Sequence, residues 1–493
     1  MIAPTHAFFR PGEQVVIPVG EPFQAEIWHL GDRLATIQGE DALRWQPPVE
    51  PKRGYRVRIQ AGSGTYWTAY DVLARWTDAP RYGYLFDFKP DRASFDLDWL
   101  LAHHVNGIQF YDWQYRHDDL LPPADEYVDP LDRPMSLATV RKLIDAAHAR
   151  GIVAMPYTAI YGASPAFAAE HLDWGLYDEN GVLYDFADGF LKLVNPASPW
   201  REHFAHDCVA VLDAVPFDGI HVDQYGEPFT GFDAGGAPVD LPAAFVGTLQ
   251  AIREAIPPEK HLLFNMVHNW PLDAINTAPL DFLYCELWPP MTTLGHLAEV
   301  AALNRQKSGG RTPVIAAYID PVHEVTVRLA ASVILASGGY HLIYGEDGLY
   351  LSDPYFPLAK RPSAALDADL QRLADFGVAY EELLSFADPA SLGVTAEGGL
   401  WVIARRAPGR IALNVLNAQP AQSWNDANPV PQPQTDISIE LTLSGDVARI
   451  WWVSPDTDSL PQPLDFTQSD GYLRCAVPVV DFWTLVCIEL KEA

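Results

Sequence analysis

Hydrophobic and polar positions divide the chain into three regions. In residues 1–78, short runs rich in β-branched and aromatic residues are separated by Pro or Gly, which is typical of antiparallel strands. In residues 79–386, apolar runs alternate with segments of helical period, the pattern of βα units around a parallel sheet. Period-two strands return in residues 387–493. We therefore predict an N-terminal β-sandwich, a central α/β domain and a C-terminal β-sandwich.

The central region contains eight pairs of a strand and a helical segment, the number found in a TIM barrel. The predicted strands are residues 82–88, 107–113, 152–160, 219–226, 261–269, 282–289, 313–320 and 340–346. A long loop separates the third strand from its helix, and the helix after the fifth strand is short. An open doubly wound sheet is the alternative, but no glycine fingerprint follows the first strand. The predicted fold class is α/β, a (β/α)8 barrel flanked by antiparallel β-sandwich domains.

Charge and composition narrow the classes of partner. The 493 residues include 33 basic and 64 acidic side chains, a net charge of −31. Nucleic acid and anionic membranes require a basic surface, so neither is expected as a partner, whereas a neutral ligand meets no such penalty. No apolar stretch reaches the ~18 residues of a membrane span. We expect no cofactor and no metal site, and we expect reduced thiols at the widely spaced Cys208, Cys285, Cys475 and Cys487.

The first residues, MIAPTHAFFRPGEQVV, lack the basic start and apolar run of a secretory signal. We expect a cytoplasmic location for the chain as written, or secretion if a leader was removed. The sequence carries no signal for a particular oligomeric state.

In a (β/α)8 barrel, function lies at the C-terminal ends of the strands. Carboxylates and aromatic residues recur at these ends, and together they form the usual surface for binding sugars. Predicted sugar ligands are Asp87, Tyr111, Asp112, His221, Gln224, Asn265, His268, Trp288, Tyr318 and Asp320.

Cleavage between sugars requires two carboxyl groups, and strand parity selects them. Alternation places Asp223 beside His221 on the inner face of strand 4, and Glu286 beside Tyr284 on the inner face of strand 6. Strands two apart lie about 9–10 Å apart. From there the carboxyl groups can approach to about 5–5.5 Å, the separation for retention through a covalent intermediate. We predict Asp223 as nucleophile and Glu286, near Trp288, as general acid/base.

Structural roles compete with these assignments. Asp223 precedes its helix by about eighteen residues, too far for an N-cap. Glu286, inside an apolar strand, could instead form a buried ion pair with Arg. Asp320 could cap the helix that begins at Glu324, and His268 could be a structural histidine.

A metal-dependent hydrolytic site is a minor alternative. It would combine His221, Asp223, His268 and Glu286. The first strand, however, offers only Asp87 where metal-dependent barrel hydrolases typically carry an HxH motif.

Four segments resemble the dextranase and cycloisomaltooligosaccharide glucanotransferase family, glycoside hydrolase family 66. They are NGIQFYDWQYRHDD (106–119), VNPASPW (194–200), FDGIHVDQYGE (217–227) and FLYCELWP (282–289). The resemblance implies a (β/α)8 barrel between β-sandwiches, an α-1,6-linked glucan substrate and cleavage with retention. It also implies that Asp223 matches the nucleophile position and Glu286 the acid/base position. The α-amylase-type barrels place the acid after strand 5, where this chain has Asn265.

Two departures from the family pattern shape the expected activity. The glucanotransferases usually carry an inserted carbohydrate-binding module, for which this chain has no room, so we expect hydrolysis rather than cyclisation. Without a leader, imported isomalto-oligosaccharides become possible substrates beside dextran. The predicted enzyme is a retaining, dextranase-like endo-α-1,6-glucanase that forms a covalent glucosyl-enzyme intermediate. The alternatives are a cycloisomaltooligosaccharide glucanotransferase on the same site and a non-catalytic glucan-binding barrel.

Overall fold

The structure, a computed structural model, describes residues 2–89, 91–457 and 460–491. Eight parallel strands, β1–β8, form one sheet in chain order. Their bounds are Tyr82–Leu85, Gly107–Phe110, Val153–Ala159, Gly219–Asp223, His261–Val267, Leu283–Glu286, Pro313–Ala316 and Tyr340–His341. Every predicted barrel strand contains one of them, so the (β/α)8 barrel predicted from the sequence is confirmed.

The helices also follow the predicted pattern. Ser136 begins one of them, because its hydroxyl accepts the N–H of Thr139 at 3.3 Å, and the helix then buries residues at intervals of three and four. The α-helices are Ala93–Ala102, Leu137–His148, Pro165–Glu170, Trp200–Ala214, Leu241–Ala255, Leu272–Ile275, Leu294–Lys307, Glu324–Ala336 and Ala364–Ala379. The 3₁₀ turns are Trp76–Asp78, Leu172–Trp174, Glu346–Gly348, Phe356–Leu358 and Glu397–Gly399. Within the described ranges, no helix combines the length and the apolar character that a membrane crossing requires.

The loops that follow β2, β3 and β4 contain short antiparallel strands. These strands span only two or three residues each, too few to show a period in the sequence. They are Glu126–Val128 with Pro134–Ser136, Gly162–Ala163 with Leu191–Leu193 and Asp185–Phe186, and Gly231–Phe232 with Pro238–Val239. The predicted long loop after β3 is therefore structured.

Antiparallel sheets account for both ends of the chain, as predicted. The N-terminal strands are Val15–Pro18, Phe23–His29, Asp32–Gly39, Ala42–Trp45, Arg53–Ala61 and Gly64–Val72. The C-terminal strands are Asp388–Pro389, Val394–Ala396, Trp401–Ala407, Arg410–Leu416, Gln434–Thr442, Val447–Val453, Gln462–Pro463, Phe466–Ser469, Tyr472–Val480 and Trp483–Leu490. Each group encloses an apolar core of its own.

By internal contacts the chain divides into two compact units. Residues 1–82, 98–106 and 289–493 form one unit, and residues 83–97 and 107–288 form the other. The second unit contains β2–β6 and therefore carries both Asp223 and Glu286. The domain boundaries predicted after residues 78 and 386 stay a prediction.

A close approach of β4 and β5 fixes how these two strands pair below Asp223 and Glu286. Gly219 lies opposite His261, and a Cβ at Gly219 would lie 2.1 Å from the His261 carbonyl oxygen. Only glycine permits this spacing. The pairing continues upward along both strands, so that Asp223 and Asn265 lie side by side at the top.

A buried arginine in the first unit is held by main-chain carbonyl groups. Arg405 is 1% exposed, and its guanidinium donates to the carbonyl oxygens of Ser337, Leu384 and Ala387. Ser337 ends the helix before β8, and Arg405 lies on a C-terminal strand. Its donors therefore tie the barrel helices of this unit to the C-terminal sheet.

Replacement of Arg405 by Leu should lower the free energy of unfolding by roughly 2–5 kcal/mol, because buried carbonyl groups would lose their donors. Thermal melting followed by circular dichroism measures the change. Arg406→Leu is the matched control, since Arg406 is exposed on the same strand. Equal melting temperatures for Arg405→Leu and the wild type would contradict this account.

Candidate active site

Asp223, the last residue of β4, is held by two side-chain donors. The Tyr157 hydroxyl donates to Oδ2 at 2.8 Å, and the Asn265 amide donates to Oδ1 at 2.7 Å. These donors come from the neighbouring strands β3 and β5. Because both carboxyl oxygens are held, the side chain has a fixed orientation, and it remains partly exposed.

Glu286 ends β6 and is the second carboxyl group of the site. It pairs in register with Val267 of β5, and Trp288 Nε1 donates to its Oε2 at 3.2 Å. Like Asp223, it is partly exposed, so that a ligand can reach both side chains.

Asp223 and Glu286 interact electrostatically. Burial, and then the negative charge of Glu286, raise the pKa of Asp223 to about 8, although the bonds from Tyr157 and Asn265 act in the opposite direction. Two carboxyl groups this close cannot both ionise at low cost. The pair therefore holds one proton at neutral pH.

Aromatic rings and a neutral imidazole lie beneath the pair. His221 is 1% exposed, and burial lowers its pKa to about 3, so it is uncharged at neutral pH. Its ring meets Tyr284 edge-on at 5.1 Å and lies 6.0 Å from the Tyr157 ring. Burial, and then the charge of Asp223, raise the pKa of the Tyr161 phenol well above its usual range. We conclude that His221, predicted as a sugar ligand, forms part of the floor of the site.

A third carboxyl group, Asp112, follows β2. It adopts a left-handed backbone conformation (φ 50°), and burial raises its pKa to about 7. Arg133 Nη2 donates to the Asp112 carbonyl oxygen at 2.9 Å, and Nη1 donates to that of Phe86 at 2.8 Å. Arg133 is itself paired with the carboxylate of Asp129 at 2.6 Å. This clamp holds the ends of two barrel strands and stabilises the backbone conformation that sets the direction of Asp112.

Tyr111, Trp288 and His268 contribute rings around the pair. The Tyr111 ring lies 5.1 Å from that of Tyr157. The His268 ring lies 6.2 Å from that of Trp288. Both Tyr111 and His268 are half-buried, so part of each ring can meet a ligand.

Gln224 and Asp87 have other surroundings. The Gln224 amide donates to the carbonyl oxygens of Val267 and Trp270 and accepts the Gly226 N–H, so it shapes the loop after β4. The carboxylate of Asp87 lies 2.6 Å from Lys89 Nζ and is exposed in a groove of about 660 Å³. Contact of either side chain with a sugar stays a prediction.

Tyr318 and Asp320 belong to the first unit. Tyr318 is half-buried. Asp320 is paired with Lys360 and accepts the Val322 N–H at 3.0 Å. The following helix has His323 at its N-cap position, so Asp320 orders the preceding turn and does not cap the helix.

Among the described residues, no group of three His, Cys, Asp or Glu side chains is arranged to hold a metal ion. The described residues therefore do not include the arrangement required for a metal site of His221, Asp223, His268 and Glu286.

Two residues outside the predicted set contribute to the site. Tyr157 is paired in register with His221, and its donation to Asp223 follows from the same inward parity on β3. That signal was present in the sequence. Arg133 lies in the loop far beyond β2, and no period or motif connects it with Asp112.

A family model described as Glycosyl hydrolase family 66 matches residues 5–487. The chain belongs to glycosyl hydrolase family 66. The resemblance noted from the four sequence segments is thereby confirmed.

Family 66 relatives with curated names are two cycloisomaltooligosaccharide glucanotransferases of Niallia circulans. One is 31% identical over 374 residues, which are 66% of this chain and 38% of the relative. The other is 22% identical and aligns with 93% of this chain and 67% of the relative. This family 66 chain therefore spans well under half the length of the first relative.

Solved structures show the same fold. A cycloisomaltooligosaccharide glucanotransferase of Paenibacillus sp., complexed with cycloisomaltoheptaose, aligns over 99% of both chains with a TM-score of 0.91 and 21% identity. A maltogenic α-amylase of Thermotoga neapolitana covers 83% of this chain and 98% of its own, with a TM-score of 0.56 and 12% identity.

The raised pKa of Asp223 makes the stability of this family 66 chain depend on pH. An unfolded Asp loses its proton near pH 4, whereas the folded pair keeps one until about pH 8. The unfolded state therefore binds fewer protons between these values, and the folded state becomes less stable as the pH rises.

Replacement of Asp223 by Asn removes a carboxyl group that is costly to ionise. Asp223→Asn should melt at a higher temperature than the wild type at pH 8, by the equivalent of a few kcal/mol, and the difference should shrink towards pH 4. Differential scanning calorimetry across this range measures it. Asp320→Asn should give no gain at pH 8, because the bond from Lys360 lowers the pKa of Asp320. If the difference in melting temperature between Asp223→Asn and the wild type did not depend on pH, the conclusion that the pair holds one proton would be contradicted.

Proposed function

We propose that this chain is a retaining glycoside hydrolase that cleaves α-1,6-glucosidic linkages in dextran or isomalto-oligosaccharides. The observation that carries the proposal is the carboxyl pair Asp223 and Glu286, whose side chains lie at the ends of β4 and β6 and interact electrostatically. Membership of family 66 supports the reaction class. Similarity to proteins named for cycloisomaltooligosaccharides supports the linkage.

In the first step, Glu286 acts as the acid and Asp223 as the nucleophile. For this step the proton of the pair must lie on Glu286, and the hydrogen bonds from Tyr157 and Asn265 stabilise the ionised form of Asp223 that remains. A carboxylate oxygen of Asp223 attacks the anomeric carbon as the bond to the glycosidic oxygen breaks. The Glu286 proton passes to that oxygen, and the shortened sugar leaves as an alcohol.

In the second step, water completes the hydrolysis. Glu286, now ionised, takes a proton from water as the water oxygen attacks the anomeric carbon. The ester bond to Asp223 breaks, and the carboxylate of Asp223 returns to its two donors. Each step leaves one negative charge on the pair, so like-charge repulsion does not build up at any stage.

The residues proposed to hold the reacting glucose are Tyr111, Asp112, Asn265 and Trp288. Asp112 is fixed by the Arg133 clamp and has a pKa of about 7, so it can donate or accept a hydrogen bond near neutral pH. Tyr111 and Trp288 offer partly exposed rings for the CH face of the sugar. Endo-action on longer chains, as in a dextranase, is part of the proposal.

Transglycosylation on the same site is a second candidate. Three of the similar proteins are named as cycloisomaltooligosaccharide glucanotransferases. A sugar hydroxyl would replace water in the second step, with the same role for Glu286. Chromatography of the products from dextran and short isomalto-oligosaccharides over time distinguishes the two, since transfer gives cyclic or elongated glucans.

Loss of either carboxyl group should abolish the activity. Glu286→Gln and Asp223→Gly should each cleave isomalto-oligosaccharides at least about 10³-fold more slowly than the wild type. Added azide should restore turnover of Asp223→Gly on an activated substrate with an inverted glycosyl azide as product, because azide replaces the missing nucleophile.

Glu299→Gln is the matched control, because Glu299 is exposed on the helix Leu294–Lys307. It should keep the wild-type rate. Near wild-type activity in Glu286→Gln or Asp223→Gly would rule out the proposed pair.

A further inference from the structure

A row of three rings, Trp288, His268 and Phe229, extends from Glu286. Trp288 donates its indole N–H to Glu286. The His268 ring lies 6.2 Å from the Trp288 ring, and the Phe229 ring lies 5.6 Å from the His268 ring at an interplanar angle of 82°. The row connects the proposed acid to the loop after β4.

Phe229 ends the row and is open to solvent. It is 39% exposed, whereas large apolar side chains in this unit are mostly buried. Both His268 and Trp288 are partly exposed, so the whole row can be reached by a ligand. An exposed aromatic residue connected to a site through other rings is a candidate contact for a ligand with apolar faces.

The loop that carries Phe229 is anchored from behind. The Phe229 ring packs at 4.9 Å from the ring of Trp270, which in turn meets the fully buried Phe245 at 6.0 Å. The Gln224 amide donates to the Trp270 carbonyl oxygen and accepts the Gly226 N–H. Phe229 is therefore presented by a supported loop, and a ligand that stacks on it does not have to order the loop first.

The surroundings of the row fit a neutral sugar. The CH face of a glucosyl unit packs on aromatic rings, and its hydroxyl groups donate to carboxylates. Glu227 is exposed, and its charge acts on His268. The net charge of −31 disfavours an anionic ligand.

The position of the row relative to the carboxyl pair indicates on which side of the reacting bond a sugar on the row would lie. A general acid must lie beside the oxygen of the leaving group. The row continues from Glu286 through Trp288, whereas the side chains that donate to Asp223, Tyr157 and Asn265, are not members of the row. A sugar on the row therefore belongs to the leaving-group side of the reacting bond.

We propose that Phe229 and His268, which continue the row beyond Trp288, form a distal subsite that binds a glucosyl unit on the leaving-group side and favours longer isomalto-oligosaccharides. This inference rests on the proposed function and extends it to chain-length preference.

The test compares substrates of different length. In Phe229→Ala, kcat/KM for isomaltoheptaose should fall about 2- to 10-fold, the loss expected for one stacking contact, mainly through a higher KM. For the shortest isomalto-oligosaccharide that the wild type cleaves, kcat/KM should stay within experimental error. Phe229→Trp should keep or improve kcat/KM for isomaltoheptaose, because the stacking surface remains.

The control is Phe95→Ala, since Phe95 is also exposed and packs beneath Arg92 on a barrel helix, outside the row. Its kcat/KM should match the wild type for both substrates. Isomaltoheptaose binding to the inactive Glu286→Gln protein, followed by tryptophan fluorescence, should weaken by the same factor when Phe229→Ala is added.

Equal losses for short and long substrates, or no loss for either, would overturn the subsite while leaving the proposed function in place. Absence of cleavage of any isomalto-oligosaccharide by the wild type would instead overturn the proposed function together with the subsite.

Discussion

Two carboxyl groups that share one proton are the constraint on which the site depends. Burial and the negative charge of Glu286 raise the pKa of Asp223, although its side chain is partly exposed. Neutral donors, Tyr157 and Asn265, hold Asp223 instead. A cation in their place would lower the pKa of Asp223 and remove the shared proton that the chemistry requires.

The barrel makes this arrangement possible because the register of its strands fixes the position of each side chain along the barrel axis. The close approach at Gly219 sets the pairing of β4 with β5, and Asn265 then bonds to Asp223 while its strand pairs with the strand of Glu286. Arg133 performs a similar task from a loop, where it bonds to two main-chain carbonyl groups. Positions at strand ends and in clamped loops are rigid, so little reorganisation is needed when a substrate binds.

Strand parity was sufficient to predict much of this site. The alternation in GIHVDQYG and FLYCELWP selected Asp223 and Glu286, which the fold brings together, and the same rule applied to β3 would have added Tyr157. Parity could not distinguish a buried support such as His221 from a ligand, because both face inward. Asp320 forms an ion pair with Lys360. Because Lys360 is distant in the sequence, no local pattern predicts this pair.

The positions of loop residues could not be predicted from the sequence, for a physical reason. Arg133 and Phe229 owe their positions to short strands and turns with two or three residues each, where no period exists to be read. Similarity to known proteins then showed the family to which the chain belongs.

The most direct test of the account is to trap the glycosyl-enzyme. In Glu286→Gln, an α-isomaltosyl fluoride should still react with Asp223, because fluoride leaves without protonation. The resulting ester should persist, because no general base remains to activate water. Mass spectrometry of the digested protein should then find one isomaltosyl group on the peptide that contains Asp223. A label on another carboxylate, or fluoride release with no labelled peptide, would contradict the assignment of Asp223 and Glu286 as nucleophile and acid/base.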